Sequence, residues 1–127
     1  MNKSAKDLVA EATASITTLP AEEAATLIGK ADTVFVDIRE GDELGKSGKV
    51  QGAVHIPRGL LEFQADPSSP SHRPELSPDK HVVLYCGSGS RSALAAKTLG
   101  DMGFSNVAHV RGGFPALQEA GAVVVKV

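Results

Sequence analysis

The chain has 127 residues, 42% hydrophobic and 22% charged, and a net charge of −2; that length accommodates one domain with a real core, and not comfortably two. The charge balance excludes a nucleic-acid footprint and a polybasic membrane patch, and five aromatics with no tryptophan argue against a base-stacking platform. A single cysteine, Cys86, excludes an internal disulfide, a Cys-rich zinc site and any reaction that ends in an intramolecular disulfide.

The N-terminal residues, "MNKSAKDLVAEATASI", lack the apolar run of a secretory signal, and no window approaches the roughly eighteen apolar residues of a membrane span. The cytosol, where a thiol stays reduced, is the expected location. Ser4 to Ala14 reads as a short helix with Leu8, Val9 and Ala12 on one side. "SITTLP" is extended, and "AEEAATLIG" is a helix with acids in its first turn and Gly29 as its stop. "TVFVDI" is a β-branched run that suits a buried strand. "REGDELGKSGK" reads as a charged, Gly-broken connection with at most one helical turn. "GAVHIP" is a second strand ending at Pro57, and "GLLEF" a turn of helix.

Ala65 to Asp79 carries four of the seven prolines and is either a surface loop or a flap near the site. "HVVLY" is a strand. "RSALAAKTLGDMG" is a helix with Ser92, Ala95, Leu99 and Met102 on one face and Lys97 and Asp101 facing away. "NVAHV" is another strand, "GGFPALQEAG" a helix closed by Gly121, and "AVVVKV" an extended tail. Strands alternating with helices predict an α/β fold with a mainly parallel sheet covered on both faces.

A parallel sheet places its site beyond the carboxyl ends of its strands. Cys86 follows "HVVLY" directly and faces the start of the next helix, near Arg91. Helix N–H groups and dipole favour an anion there, and a thiolate so placed has a lowered pKa. Gly87 and Gly89 allow conformations closed to other residues, so that successive N–H groups turn inward as a nest. Ser88 and Ser90 add hydroxyl donors, and Ser90 is placed to cap the helix. An isolated cysteine is ordinarily an inert core thiol; the glycines and the arginine beside Cys86 favour a nucleophile at the mouth of the sheet. The stretch matches neither G-x-G-x-x-G nor a phosphate-binding G-K-[ST] loop. Only four residues separate Cys86 from Arg91, against five in the tyrosine-phosphatase pattern, and the shorter ring suits one extra sulfur atom better than a tetrahedral phosphate.

Four segments together, "VDIRE", "GKVQGAVHIP", "CGSGSRS" and "GGFPALQEAG", resemble the rhodanese family of sulfurtransferases, over roughly Thr17 to Ala122. The resemblance implies a rhodanese-like α/β domain with a five-stranded parallel sheet, occupying residues 15–127 after an N-terminal helical extension of residues 1–14. It implies that Cys86 is the nucleophile and carries a persulfide, that Gly87, Ser88, Gly89, Ser90 and Arg91 form the loop holding the outer sulfur, and that Asp37 and Arg39 are a bracing pair. Departures are Gly87, where the family often has a larger residue or arginine, Ser90 where asparagine is frequent, Lys49-Val50-Gln51 where His-Ile-Pro is usual, and Leu117 where tryptophan is common. The loss of a charge at position 87 leaves the donor's identity open.

The function expected is transfer of sulfane sulfur from a donor such as thiosulfate to cyanide, a thiol or a protein acceptor, with no metal or organic cofactor. The alternatives are a persulfide carrier or binding module that works only with a partner, and a phosphatase or arsenate reductase. Arg91 either attracts an anionic donor or locks the loop by pairing with a carboxylate. Arg58 and Arg73 are surface arginines that could line the rim, and Phe63 either walls the pocket or sits in the core. His55 reads as a structural histidine, His72 and His81 have no role, and Asp37 is expected to accept N–H bonds from a neighbouring turn.

Overall fold

A computed structural model describes all residues, Met1 to Val127. Helix α1 (Ala5–Ser15) begins with a reciprocal cap, in which Ser4 Oγ accepts from the Asp7 N–H and Asp7 Oδ2 from the Ser4 N–H, both at 3.0 Å. It packs on α5 (Ser90–Asp101), with Ala12 fully buried. Between and beyond these run β1 (Thr17–Leu19), α2 (Ala21–Ala25), β2 (Thr33–Asp37), α3 (Gly41–Ser47), β3 (Lys49–Val50), β4 (Val54–His55), a 3₁₀ turn (Arg58–Leu60), α4 (Leu61–Ala65), β5 (His81–Tyr85), β6 (Val107–Val110), α6 (Gly113–Glu119) and β7 (Val124–Val125).

Five strands form one parallel sheet in the order β1-β6-β5-β2-β4, so β5 sits at its centre. The period of two in a strand then sorts side chains between two cores. Val82, Leu84 and Cys86 point to one face, where they meet Val36, Ile38, Leu61, Ala65, Ala95, Ala96 and Leu99. Val83 and Tyr85 point to the other, against Phe35, Ala24, Phe114 and Leu117. Helices α4 and α5, with α1 packed on α5, therefore cover one face and α2 and α6 the other, as the alternation of elements implied. Each fully buried valine or leucine of β5 contributes about 1.5–3 kcal/mol relative to leaving it in water. The sheet centre, and the cysteine that ends it, thus stand on the best-buried part of the chain.

Four expectations are corrected. The charged connection after β2 contains a seven-residue helix, α3, not a single turn. Reciprocal bonds start it: the Glu43 carboxylate accepts from the Glu40 N–H at 2.9 Å, and the Glu40 carbonyl accepts from the Glu43 N–H at 3.0 Å. The C-terminal residues are not a free tail, because Val124–Val125 pairs antiparallel with Lys49–Val50. Met102 does not share the buried face of α5. That helix closes on a Schellman turn, with Phe104 N–H bonded to Leu99 O at 3.0 Å and Gly103 N–H to Gly100 O at 3.1 Å. The turn swings Phe104 into the core and leaves Met102 39% exposed. Phe63 is 61% exposed and so does not sit in the core. Leu61 and Ala65, four apart, bury the inner face of α4, and Phe63 between them points the other way.

Residues 66–80 are irregular and held by local bonds. Leu76 anchors them in the core, and His72 Nδ1 lies 3.0 Å from Gln64 O, which ties the loop to α4. No helix is long and apolar enough to cross a membrane.

Candidate active site

Cys86 ends the central strand, and the loop after it runs straight into α5. Two backbone N–H groups of this turn donate to its sulfur, and a third hydrogen bond joins the sulfur to a hydroxyl. Gly89 N–H donates to Sγ at 3.1 Å and Ser92 N–H at 3.4 Å, while Ser92 Oγ lies 3.5 Å away. Burial pushes the thiol up, but the Ser92 hydroxyl and the amides of Ser88, Ser92 and Gly89 outweigh it and hold the Cys86 pKa below the ordinary thiol value. Charge on sulfur is therefore favoured by backbone and hydroxyl dipoles, with no cation in direct contact.

The two glycines of the turn differ in what they do. Gly89 adopts φ +111°, which aims its N–H at the sulfur, and it precedes the helix as its N-cap residue. Ser90 is thus the first helical residue and makes no cap bond, contrary to expectation. Gly87 does not have a positive φ, and its value is its size. A Cβ there would stand 3.1 Å from Arg91 Nη2 and 3.6 Å from Glu43 Oε2.

Those two side chains form a bidentate pair beside the loop, Nη1–Oε1 at 2.7 Å and Nη2–Oε2 at 3.0 Å. Arg91 thus locks the loop to α3 by pairing with a carboxylate. The Arg91 guanidinium holds the Glu43 carboxyl down at about 2, and the carboxylate in turn raises the Arg91 pKa. The side chains remain 40% and 35% exposed, so solvent screens the pair.

A second brace comes from α6. Phe114 N–H donates to Cys86 O at 2.8 Å, which fixes the carbonyl of the cysteine itself. Gly113, at φ +64°, comes so close that a Cβ would collide with Cys86 O and the backbone of Gly87 and Ser88. The ring of Phe114 carries the Arg39 guanidinium at 4.2 Å. Arg39 is 3% exposed and donates to Asp37 Oδ2 at 2.8 Å, Gly48 O at 2.7 Å and Ser47 Oγ at 2.8 Å. Asp37 also accepts the Arg39 N–H at 3.0 Å, the turn bond expected of it. His55 Nε2 bonds to Arg39 O at 2.8 Å, a structural histidine.

Not every expected residue joins this assembly. Arg58 bonds to Glu62 at 2.9 Å and Thr98 at 3.2 Å, which turns it toward the middle of α5 and away from the helix start. Arg73 pairs with Glu75 within its own loop, at 3.0 Å. Neither donates to the cysteine loop. The sulfur is also not open to solvent, since Cys86 is wholly buried. Of the loop residues 87–91, Gly89 alone has its N–H bonded to the sulfur, joined by the N–H of Ser92 beyond them.

Two residues near the sulfur escaped the sequence reading. Ser92 read as one position on the buried face of α5, and a hydroxyl among alanines and leucine was the available signal. His109 is 4% exposed on β6, and its Nδ1 lies 2.9 Å from Ser92 Oγ. Nothing in "NVAHV" separates it from any other strand histidine.

The model of the rhodanese-like domain matches residues 20–120. A sulfurtransferase of Allochromatium vinosum is 33% identical over 94 residues, 74% of this chain and 79% of that protein. A putative sulfur carrier protein of Bacillus subtilis is 36% identical over 60% of this chain, which spans only 36% of its length. Among solved structures, a protein of unknown function from Rhodopseudomonas palustris, described as a possible tyrosine phosphatase, superposes with a TM-score of 0.93 at 44% identity, covering 98% of this chain and 96% of that one. The polysulfide-sulfur transferase homodimer of Wolinella succinogenes superposes with a TM-score of 0.75 at 32% identity, over 94% and 85% of the two chains. With the order of its strands, its cysteine turn and these likenesses together, the chain belongs to the rhodanese-like domain family.

Proposed function

We propose that the protein is a sulfurtransferase that moves sulfane sulfur through a persulfide on Cys86. The observation that carries this is the set of polar groups trained on one sulfur: two backbone N–H donors and the Ser92 hydroxyl oxygen, all within 3.5 Å of Sγ. Such a set stabilises a sulfur anion and supplies neither a base nor a metal ligand. The Cys86 thiolate attacks the outer sulfur of a donor such as thiosulfate. The donor's S–S bond breaks, and sulfite leaves with the bonding pair. A thiophilic acceptor then attacks the outer sulfur of the persulfide, and the Cys86 thiolate is the leaving group. The electrons balance across the two halves, so no external oxidant or reductant enters. Small sulfur-containing anions are the proposed donors, and a thiol or a protein the cellular acceptor.

Because Sγ itself fills the cradle and is buried, loading requires the turn to open or the side chain to rotate outward. If the turn opens, the Arg91–Glu43 pair is the fastening that gives. The test is thiocyanate production from thiosulfate and cyanide: the wild type turns over, and Cys86→Ser does not. A wild-type rate in Cys86→Ser would end this reading.

Two other readings are separated by the same preparation. A partner-dependent carrier, the reading favoured by the likeness to a putative sulfur carrier protein, would accept sulfur from a persulfide protein yet turn over thiosulfate poorly. A phosphatase, suggested by the description of the Rhodopseudomonas palustris protein, would release phosphate from an aryl phosphate. The four-residue spacing to Arg91 and the occupied cradle oppose it.

A further inference from the structure

The transfer just proposed uses Cys86 and its amides and leaves a buried histidine behind them without a task. Both ring nitrogens of His109 have partners: Nδ1 lies 2.9 Å from Ser92 Oγ, and Nε2 lies 3.0 Å from Thr18 Oγ1. Ser92 Oγ in turn lies 3.5 Å from Cys86 Sγ. The sheet register assembles this file. Thr18 is opposite His109 across β1 and β6, and His109 is opposite Leu84, two residues before Cys86, across β6 and β5. Thr18, His109 and Ser92 thus form one row of side chains that ends on the sulfur.

Counting protons decides what the row can do. The Ser92 hydroxyl has one proton and three neighbours, His109 Nδ1, Cys86 Sγ and Gly89 O at 3.2 Å. A neutral imidazole carries its proton on one nitrogen only. With Nε2 protonated, the ring donates to Thr18 and takes the serine proton at Nδ1. Ser92 then turns lone pairs toward the sulfur, which suits an S–H group and repels a sulfur anion. With Nδ1 protonated, Thr18 donates to Nε2 and the ring donates to Ser92 Oγ. The serine proton is then free for the sulfur. Gly89 O stays satisfied in that arrangement, because the Ala93 N–H already donates to it at 3.2 Å.

We propose that His109 is a positioning residue for the sulfur anion: as the Nδ1–H tautomer it donates to Ser92 Oγ and commits the Ser92 hydroxyl to Cys86. The inference rests on the reading of Cys86 as the sulfur-carrying anion. The ring stays neutral in this role. Burial first, and then the charge of nearby Arg111, hold its pKa below the ordinary histidine value. The groups that face it from other elements, Thr18 on β1 and Ser92 on α5, are uncharged, and the Cys86 anion is reached only through Ser92.

The experiment is a pH titration of thiolate absorbance. It reads Cys86 alone, since the chain has no other cysteine and the buried Tyr85 phenol ionises far above its ordinary range. His109→Leu is expected to raise the Cys86 pKa by up to about one unit, because the Ser92 hydroxyl, no longer held by Nδ1–H, is released to Gly89 O and its hydrogen bond to the charged sulfur is lost. His109→Asn, which can place an N–H where Nδ1–H stood, is expected to recover most of that shift. Ser92→Ala should raise the pKa similarly, and the Ser92→Ala/His109→Leu double variant should raise it no further, because the histidine acts through the serine. An unchanged pKa in folded His109→Leu, or shifts that add in the double variant, overturns the proposal. Should His109→Leu fail to fold, nitrogen-15 spectra of the wild-type ring above the thiol pKa decide it: Nδ1–H is expected, and Nε2–H overturns it. Sulfur loading of the wild type is scored separately. A wild type that never gains sulfur defeats the transfer reading, while the titration still judges the histidine.

Discussion

Two arginine–carboxylate pairs flank the cysteine turn, and they differ in almost everything but chemistry. Arg39 and Asp37 are 4% and 0% exposed at their side chains, and every arm of the guanidinium has a fixed acceptor or an aromatic face. Arg91 and Glu43 are 40% and 35% exposed; the guanidinium bonds only to Glu43, whose carboxylate has one further partner, the Glu40 N–H. The first pair sits under Phe114, whose N–H pins Cys86 O, so it belongs to the frame that sets the cysteine's position. The second fastens the far side of the turn through a contact that water can replace. A site that holds a sulfur anion and must also admit a donor needs one side rigid and the other releasable, and burial assigns those parts.

Breaking the buried pair is expected to have the largest effect. Arg39→Met leaves the buried Asp37 carboxylate with only the backbone N–H of residue 39 in place of its guanidinium partner and should cost about 3–5 kcal/mol, a large share of the ~5–15 kcal/mol that holds a domain together. Urea unfolding measures it; a loss near that of a surface substitution would place the pair outside the frame. Gly113→Ala comes next, because it adds a methyl group against Cys86 O at a positive φ and should cost on the order of 1–3 kcal/mol. It should also slow persulfide loading, since the displaced backbone carries the amides of the turn. Full stability and wild-type loading together would show that α6 does not brace the cysteine.

The exposed pair sharpens the comparison from the other side. Glu43→Gln should cost less than about 1 kcal/mol near neutral pH, yet alkylation of Cys86 should become faster as the turn loosens. Its stability effect has a definite pH window. The folded pKa is depressed, about 2 against 4.5, so the contribution is complete above pH 4.5 and is lost as the pH falls toward 2. Wild type and Glu43→Gln should therefore converge in stability across that range, and a difference that persists at its lower end would contradict the assignment. Gly87→Ala should have the smallest effect. Its methyl meets Arg91 Nη2 at 3.1 Å, and the long side chain can yield by a few tenths of an ångström, so stability is expected to stay within about 0.5 kcal/mol.

What could be read without coordinates was whatever local chemistry decides. The runs "TVFVD" and "HVVLY" announce buried strands by β-branched density, and the cysteine, the glycines and the arginine sit next to one another in the chain. The misreadings share a cause, which is that the deciding partner is distant. β7 looks like a tail because its partner strand is two residues long and lies more than seventy positions away. Met102 follows the helical period, but the Schellman turn hands its place to Phe104. His109 faces a serine from another helix and a threonine from another strand, and Glu43 meets Arg91 across 48 positions. Arg58 and Arg73 each pair with a carboxylate only a few positions away, Glu62 and Glu75, and the sequence does not single out those acceptors.

The most direct measurement is the intact mass of the protein after exposure to thiosulfate or polysulfide, with Cys86→Ser beside it. A persulfide shuttle gains the mass of one sulfur atom on the wild type, loses it again on addition of cyanide, and gains nothing on the variant. An unchanged wild-type mass with both donors, or equal uptake by Cys86→Ser, contradicts the account.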